Sequence, residues 1–205
     1  MKVLGIDSSG LVASVAVVED DILLAEYTVN YKKTHSQTLL PMLKEIGDMI
    51  NLDLNSLDAI AIAAGPGSFT GLRIGSATAK GLGLALDKPI IPVPTVDGLA
   101  YDLWGTDKIV CPIMDARRNQ VYTGIYSFVP KKESEDSEHG QMKYAFQVIR
   151  VQMAVSVEDL IRRLNIYGRR VVFLGDGVPV YRKMLEKGLK VPYFFAPSYL
   201  NRQRA

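Results

Sequence analysis

The chain has 205 residues, 48% of them hydrophobic and 22% charged, with a formal net charge of +2. Those proportions suit a globular protein of one large or two small domains, and no apolar run approaches the ~18 residues of a membrane span. Asp7 arrives too early for a secretory leader, the single Cys111 rules out an internal disulfide, and His35 and His139 lie 104 residues apart, so a cytoplasmic chain without a histidine-ligated metal is expected.

Three extended stretches open the chain: Val3–Ile6, Ala13–Val18 and Ile22–Val29. Asp7-Ser8-Ser9-Gly10 and Glu19-Asp20-Asp21 separate them, and both are tight-turn chemistry, so an antiparallel meander is predicted. Leu39, Leu40, Leu43, Ile46 and Ile50 then recur at helical spacing, with Ser36 as the expected N-cap. Ala59–Ala64 reads as a buried strand emptying into Gly65-Pro66-Gly67-Ser68-Phe69-Thr70-Gly71, followed by a small-residue helix to about Leu86, a strand at Ile90–Val93 and a short helix over Thr95–Leu103.

The second half runs through the same order. Strands are predicted at Ile109–Met114, Gln120–Phe128 and Ala145–Val151, a helix from Ser156 with Asp159 three residues on, a strand at Val171–Leu174, a helix at Val178–Lys187, and an apolar end at Tyr193–Phe195. Residues 130–143 are polar and mixed in charge, and read as an exposed hairpin loop. The repeated order, with an acid ending the first strand of each half (Asp7 and Asp115), predicts a duplicated actin-like, ribonuclease-H-like α/β fold, βββαβα twice, with halves at 1–104 and 105–205.

Charge divides unevenly between those halves. Residues 1–100 carry 7 Lys/Arg against 11 Asp/Glu, and residues 101–205 carry 17 against 11. A basic C-terminal half suits nucleic acid, an acidic protein, or merely a solvated surface.

Asp7-Ser8-Ser9-Gly10 is the first candidate site. In actin-like ATPases such a turn cradles phosphate with backbone N–H groups while the acid holds hydrated magnesium. The same residues are also the favoured composition of an ordinary turn. Its counterpart, Asp115-Ala116-Arg117-Arg118-Asn119-Gln120, has no glycine, while Gly175 and Gly177 suit a reduced adenosine-side loop. Asp7, Ser8, Ser9, Asp115, Gly175 and Gly177 together therefore outline a vestigial nucleotide site. Gly65–Gly71 is not a P-loop, because Leu72-Arg73 stands where a lysine and a hydroxyl are required. Gly75, Ala79 and Gly83 form a stripe of small residues that lets another helix approach, inside the chain or from a partner chain. With Leu39, Leu43, Ile46 and Leu72 they mark a candidate partner face. Peptidase chemistry finds no elbow serine and no His-Glu-x-x-His.

Ala63-Ala64-Gly65-Pro66-Gly67-Ser68-Phe69-Thr70-Gly71-Leu72-Arg73-Ile74-Gly75 closely resembles the bacterial TsaB (YeaZ) family. Gly5-Ile6-Asp7-Ser8-Ser9, His35-Ser36-Gln37-Thr38-Leu39-Leu40-Pro41 and Met114-Asp115-Ala116-Arg117-Arg118 with Val121-Tyr122 agree with it. The resemblance spans almost the whole chain, more weakly after about residue 130. It implies a non-catalytic subunit that binds the catalytic subunit TsaD and the small ATPase TsaE in forming N6-threonylcarbamoyladenosine at position 37 of ANN-decoding tRNAs. It also implies a homodimer in isolation. The catalytic relative carries a His-x-x-x-His metal pair where this chain has Thr95 and Leu99. No cofactor of its own is expected, with ATP or ADP at most at a partner interface. Arg117 and Arg118 are candidates for contact with the ATPase or with tRNA, or for ordinary salt bridges. The rival reading is an actin-like ATPase or kinase acting alone.

Overall fold

A computed structural model describes residues 1–30, 34–131 and 144–205. Most of the loop expected at 130–143 lies outside them. The chain forms two compact units, Met1–Gly98 with Arg202–Ala205, and Leu99–Asn201.

The first unit carries β1 (Lys2–Asp7), β2 (Ala13–Glu19), β3 (Ile22–Val29), α1 (His35–Ile50), β4 (Ala59–Ala63), α2 (Phe69–Leu86) and β5 (Ile90–Val93). Its sheet runs β3-β2-β1-β4-β5. The meander is antiparallel, with Gly5 opposite Ala16, while β4 lies parallel to β1, with Ile62 opposite Ile6. Leu4, Ile6, Val15, Val17, Ile60 and Ile62 of this sheet are buried in one cluster with Leu39, Leu43 and Ile46 of α1 and Ala79 of α2. Each large aliphatic side chain so covered contributes about 1.5–3 kcal/mol. The N-cap position of α1 is Thr34 rather than Ser36: Thr34 is extended (φ −72°, ψ 142°), and the Gln37 N–H closes the first turn on its carbonyl at 2.9 Å.

After α3 (Thr95–Tyr101), the second unit carries β6 (Ile109–Asp115), β7 (Gln120–Pro130), β8 (Tyr144–Ser156), α4 (Val157–Tyr167), β9 (Val171–Leu174), α5 (Gly177–Gly188) and β10 (Tyr193–Phe195). Its sheet order, β10-β9-β6-β7-β8, reproduces the first sheet strand for strand, with β6 in the place of β1. This is the duplicated actin-like fold. Ser156 caps α4 by accepting the Asp159 N–H at 3.1 Å. The core gathers Ile109, Ile113, Val121, Ile125, Leu160, Leu164, Phe173, Tyr181 and Leu185.

Two features move the expected boundary at 104/105. Tyr101 and Trp104 stack on each other and pack with Phe128 and Phe146, which commits the segment after Gly98 to the second unit. In the first unit, Arg204 clamps Glu26 through Nε at 2.8 Å and a second guanidinium N–H, and the Ala205 N–H donates to Ser14 Oγ at 3.0 Å. These side-chain and backbone pairings draw residues 202–205 back to the first sheet.

Candidate functional site

The turn after β1 is folded in on itself. Asp7 is 6% exposed, and its Oδ1 accepts both the Ser9 N–H and the Ser9 hydroxyl, each at 2.7 Å. The Ser8 hydroxyl donates to the Gly71 carbonyl at 2.9 Å, and the Ser68 N–H donates to the Ser9 carbonyl at 2.6 Å. His35 Nε2 donates to the Gly10 carbonyl at 3.0 Å, and the buried Gln203 amide lies directly against Gly10. Burial pushes the Asp7 carboxyl up to about 6, against the opposing pull of the two Ser9 hydrogen bonds and the charge of His35. The Ser9 N–H that would face a phosphate is therefore committed to Asp7, and the turn's carbonyls are covered by the glycine loop and His35.

In the second unit the corresponding acid makes the same local bond. Asp115 Oδ1 accepts the Arg117 N–H at 2.8 Å, as Asp7 does from the residue two places on, and also accepts the Tyr181 hydroxyl at 2.6 Å. Burial, then Asp115, pushes the Tyr181 hydroxyl up to about 12. Unlike Asp7, Asp115 is exposed. Gly175 (φ +101°) and Gly177 lie so close to the Ile113 carbonyl that a Cβ at either position would collide with it. Tight packing of this turn on β6 accounts for both glycines.

The helical residues expected at a partner face lie, with one exception, inside the first unit. Leu39, Leu43 and Ile46 are 2%, 7% and 3% exposed. On α2, Gly71, Gly75, Ala79 and Gly83 are the buried residues: Gly75 abuts Ser8 and Ile62, and Gly83 abuts Lys88 and Ile90. The small-residue stripe exists so that α2 can lie close on its own sheet, and of the seven named residues only Leu72 reaches the surface.

What α2 turns outward is a second stripe, Phe69-Arg73-Ala77-Lys80-Leu84, at spacings of four, four, three and four. Phe69 is 68% exposed and Leu84 87%. Beside it, Phe69, Leu72, Ala77, Ile90 and Pro92 line an apolar groove of about 750 Å³ whose only charged liners are Arg73 and Lys80. The Arg73 guanidinium covers the Phe69 ring at 4.0 Å, and neither cation has a carboxylate partner among the described residues. On α1, Leu40 and Met49 are exposed as well. The same heptad-like spacing was available in the sequence, but the glycines on the other stripe carried the stronger signal.

Arg117, Arg118 and Asn119 hold φ of +64°, +51° and +58°, and all three side chains are exposed. Single left-handed residues at Asn51 and Asp87 serve as helix C-caps. A run of three non-glycine residues in this region costs about 1 kcal/mol or more per residue. The run is pinned by Gln120 N–H to the Arg117 carbonyl at 2.9 Å and Val157 N–H to the Asn119 carbonyl at 3.0 Å.

Thr95 and Leu99 are each 3% exposed, and the Thr95 hydroxyl has no hydrogen-bond partner among the described residues. Cys111 is fully buried against Thr123, and burial pushes its thiol up to about 12, which leaves it unreactive. Among the described residues no three His, Cys, Asp or Glu side chains converge as a metal site, and no helix is long and apolar enough to cross a membrane.

The family model for TsaD, tRNA N6-adenosine threonylcarbamoyltransferase, matches residues 23–203. The tRNA threonylcarbamoyladenosine biosynthesis protein TsaB of Bacillus subtilis is 33% identical over 97% of this chain and 81% of its own length. The chain belongs to the TsaB (YeaZ) family. The Haemophilus influenzae TsaB is 35% identical over 77% of this chain, a match that spans 65% of that protein. Among solved structures, YeaZ from Pseudomonas aeruginosa superposes with a TM-score of 0.74 at 27% identity, covering 98% of this chain and 86% of that one. The Bacillus subtilis match runs nearly the whole length of the chain, and the Pseudomonas structure shares its fold.

Proposed function

We propose that this chain serves tRNA threonylcarbamoyladenosine biosynthesis as a non-catalytic scaffold and activator. It docks a TsaD-like catalytic subunit and a TsaE-like ATPase in the complex that modifies adenosine 37 of ANN-decoding tRNAs. The observation that carries this reading is the outward stripe of α2 with its neighbouring groove: exposed apolar side chains interleaved with two cations that have no carboxylate partner among the described residues, suited to a partner helix with an acidic margin. A second copy of the chain occupies the same strip when the catalytic subunit is absent. Thr95 and Leu99, in the positions of the relative's metal-binding histidines, supply no imidazole, so the transfer chemistry belongs to the partner. Nucleotide belongs at a partner interface, because the Asp7 turn is filled by its own side chains.

Phe69→Asp with Leu84→Asp places two charges on the strip without touching the core. Association with the TsaD-like subunit, followed by mass photometry, is expected to weaken at least about tenfold, or ~1.4 kcal/mol. The melting temperature should stay within about 2 °C of the parent, as befits exposed positions. Modified adenosine 37, quantified in a reconstitution containing the catalytic subunit, the ATPase, the adenylate-forming enzyme, ATP, threonine, bicarbonate and tRNA, should fall in parallel and recover at high protein concentration. Undiminished association would move the docking face elsewhere, and modification proceeding equally without this chain would end the scaffold reading.

A further inference from the structure

We propose that the Arg117–Asn119 turn is a contact for the phosphodiester backbone of RNA, with Arg117 and Arg118 as its phosphate-binding side chains; the identity of the RNA as tRNA rests on the scaffold reading above, whereas the geometry does not. Three facts converge on it. The turn holds Arg117 and Arg118, ahead of Asn119, in the left-handed region, where asparagine or glycine in place of either arginine would sit with far less strain. Its backbone is fixed at both ends, by the Asp115 carboxylate on the Arg117 N–H and by the Asn119 carbonyl on the Val157 N–H. Yet neither guanidinium takes any part in holding it: both are exposed, and neither meets a carboxylate among the described residues.

The shape of the turn by itself does not call for arginine at either position, because glycine or asparagine enters the left-handed region at lower cost. Two adjacent arginines on an anchored backbone present two planar, permanently charged groups to solvent, each a fork able to bind phosphate oxygens bidentately. Charge favours RNA over an acidic protein. The described residues of the second unit carry 13 Lys/Arg against 7 Asp/Glu, an excess that suits a polyanion contacted over many phosphates. Contacts of this kind position the RNA without reading its sequence.

The test is a salt titration of binding to a fluorescently labelled transcript of an ANN-decoding tRNA, using the complex of this chain with its TsaD-like partner. Arg117→Gln with Arg118→Gln is expected to weaken binding about tenfold near 0.1 M salt and to flatten the plot of log affinity against log salt by about 1–2. Arg117→Lys with Arg118→Lys should keep most of the slope, and Asn119→Gly, which relaxes the turn without removing charge, should keep the slope as well. Assembly of each variant is scored first, without tRNA. An unchanged slope in the glutamine variant overturns the proposal, and so does a loss of protein assembly that fully accounts for the weaker binding, which would mark the arginines as a protein contact. Should the parent complex itself fail to assemble, the scaffold reading falls, and the same change in slope is then required of the isolated chain.

Discussion

Gly71→Ala is expected to lower the stability of the first unit by about 3 kcal/mol, although the same change in an exposed helix normally stabilises. A Cβ on Gly71 would fall on the backbone carbonyl oxygen of Ser8 and within 3.2 Å of the His35 ring. Backbone cannot swing aside as a side chain can, so either α2 lifts from the sheet or the Asp7 turn opens. Within the same helix, Gly81 has nothing within 4 Å of its Cβ position. Gly81→Ala should therefore raise stability by about 0.5–1 kcal/mol. The single tryptophan, Trp104, reports the second unit, so calorimetry is the suitable measurement. The first variant should lower the transition by roughly 6–12 °C and the second should raise it slightly. If Gly71→Ala left the isolated chain's melting unchanged but abolished partner association, the small-residue stripe would face a partner after all.

Asp7→Asn should stabilise the protein at pH 8 and do nothing at low pH. The folded carboxyl titrates at about 6, above its ordinary 3.8, because burial penalises the charged form more than Ser9 and His35 favour it. A carboxyl with a raised folded pKa contributes its full stability below the unfolded value and loses it as pH rises through the folded one. The parent should thus lose up to about 3 kcal/mol from this group between pH 4 and pH 7. Asparagine keeps an oxygen for the Ser9 N–H and hydroxyl without carrying charge. Denaturant titrations of both proteins at pH 4 and pH 8 are expected to coincide at the lower pH and to separate by about 1–3 kcal/mol at the higher, with the variant more stable. Modification of adenosine 37 should survive the substitution. A variant that folds at least as well yet no longer supports modification would show that the charge at Asp7 serves a nucleotide or metal, and would favour the independent ATPase reading.

Local chemistry made the element order legible. The valine- and alanine-rich run of β2, the helical spacing of Leu39, Leu43 and Ile46, and the Ser156 cap each depend on near neighbours in the chain, and each element formed where those neighbours placed it. The acid ending each first strand proved to be a shared device, because an aspartate carboxylate reaches the N–H two residues ahead whatever the rest of the fold does. The segment Gly65–Gly75 was likewise readable as a glycine-rich turn into a helix, and its Gly67 and Gly71 answer to a backbone approach that few other residues permit.

The side of a helix that meets the sheet was not readable from α2. Its sequence contains two stripes, one of glycine and alanine and one of Phe69, Arg73, Ala77, Lys80 and Leu84, and periodicity assigns neither to the interior. Small residues let any surface approach, so the glycine stripe by itself suits the chain's own core and a partner equally; close packing against Ser8, Ile62 and Ile90 decides the matter. The return of Gln203 and Arg204 to Gly10 and Glu26, and the left-handed run at Arg117–Asn119, belong to the same class. Both arise from contacts between residues far apart in the chain, or from strain that such contacts sustain. Short-range pattern therefore made the fold and the places of the two acid turns legible, and a few motif segments carried the family likeness, while which side chains stay exposed was decided by packing alone, because burial is a property of the assembled sheet and helices and of no single stretch of residues.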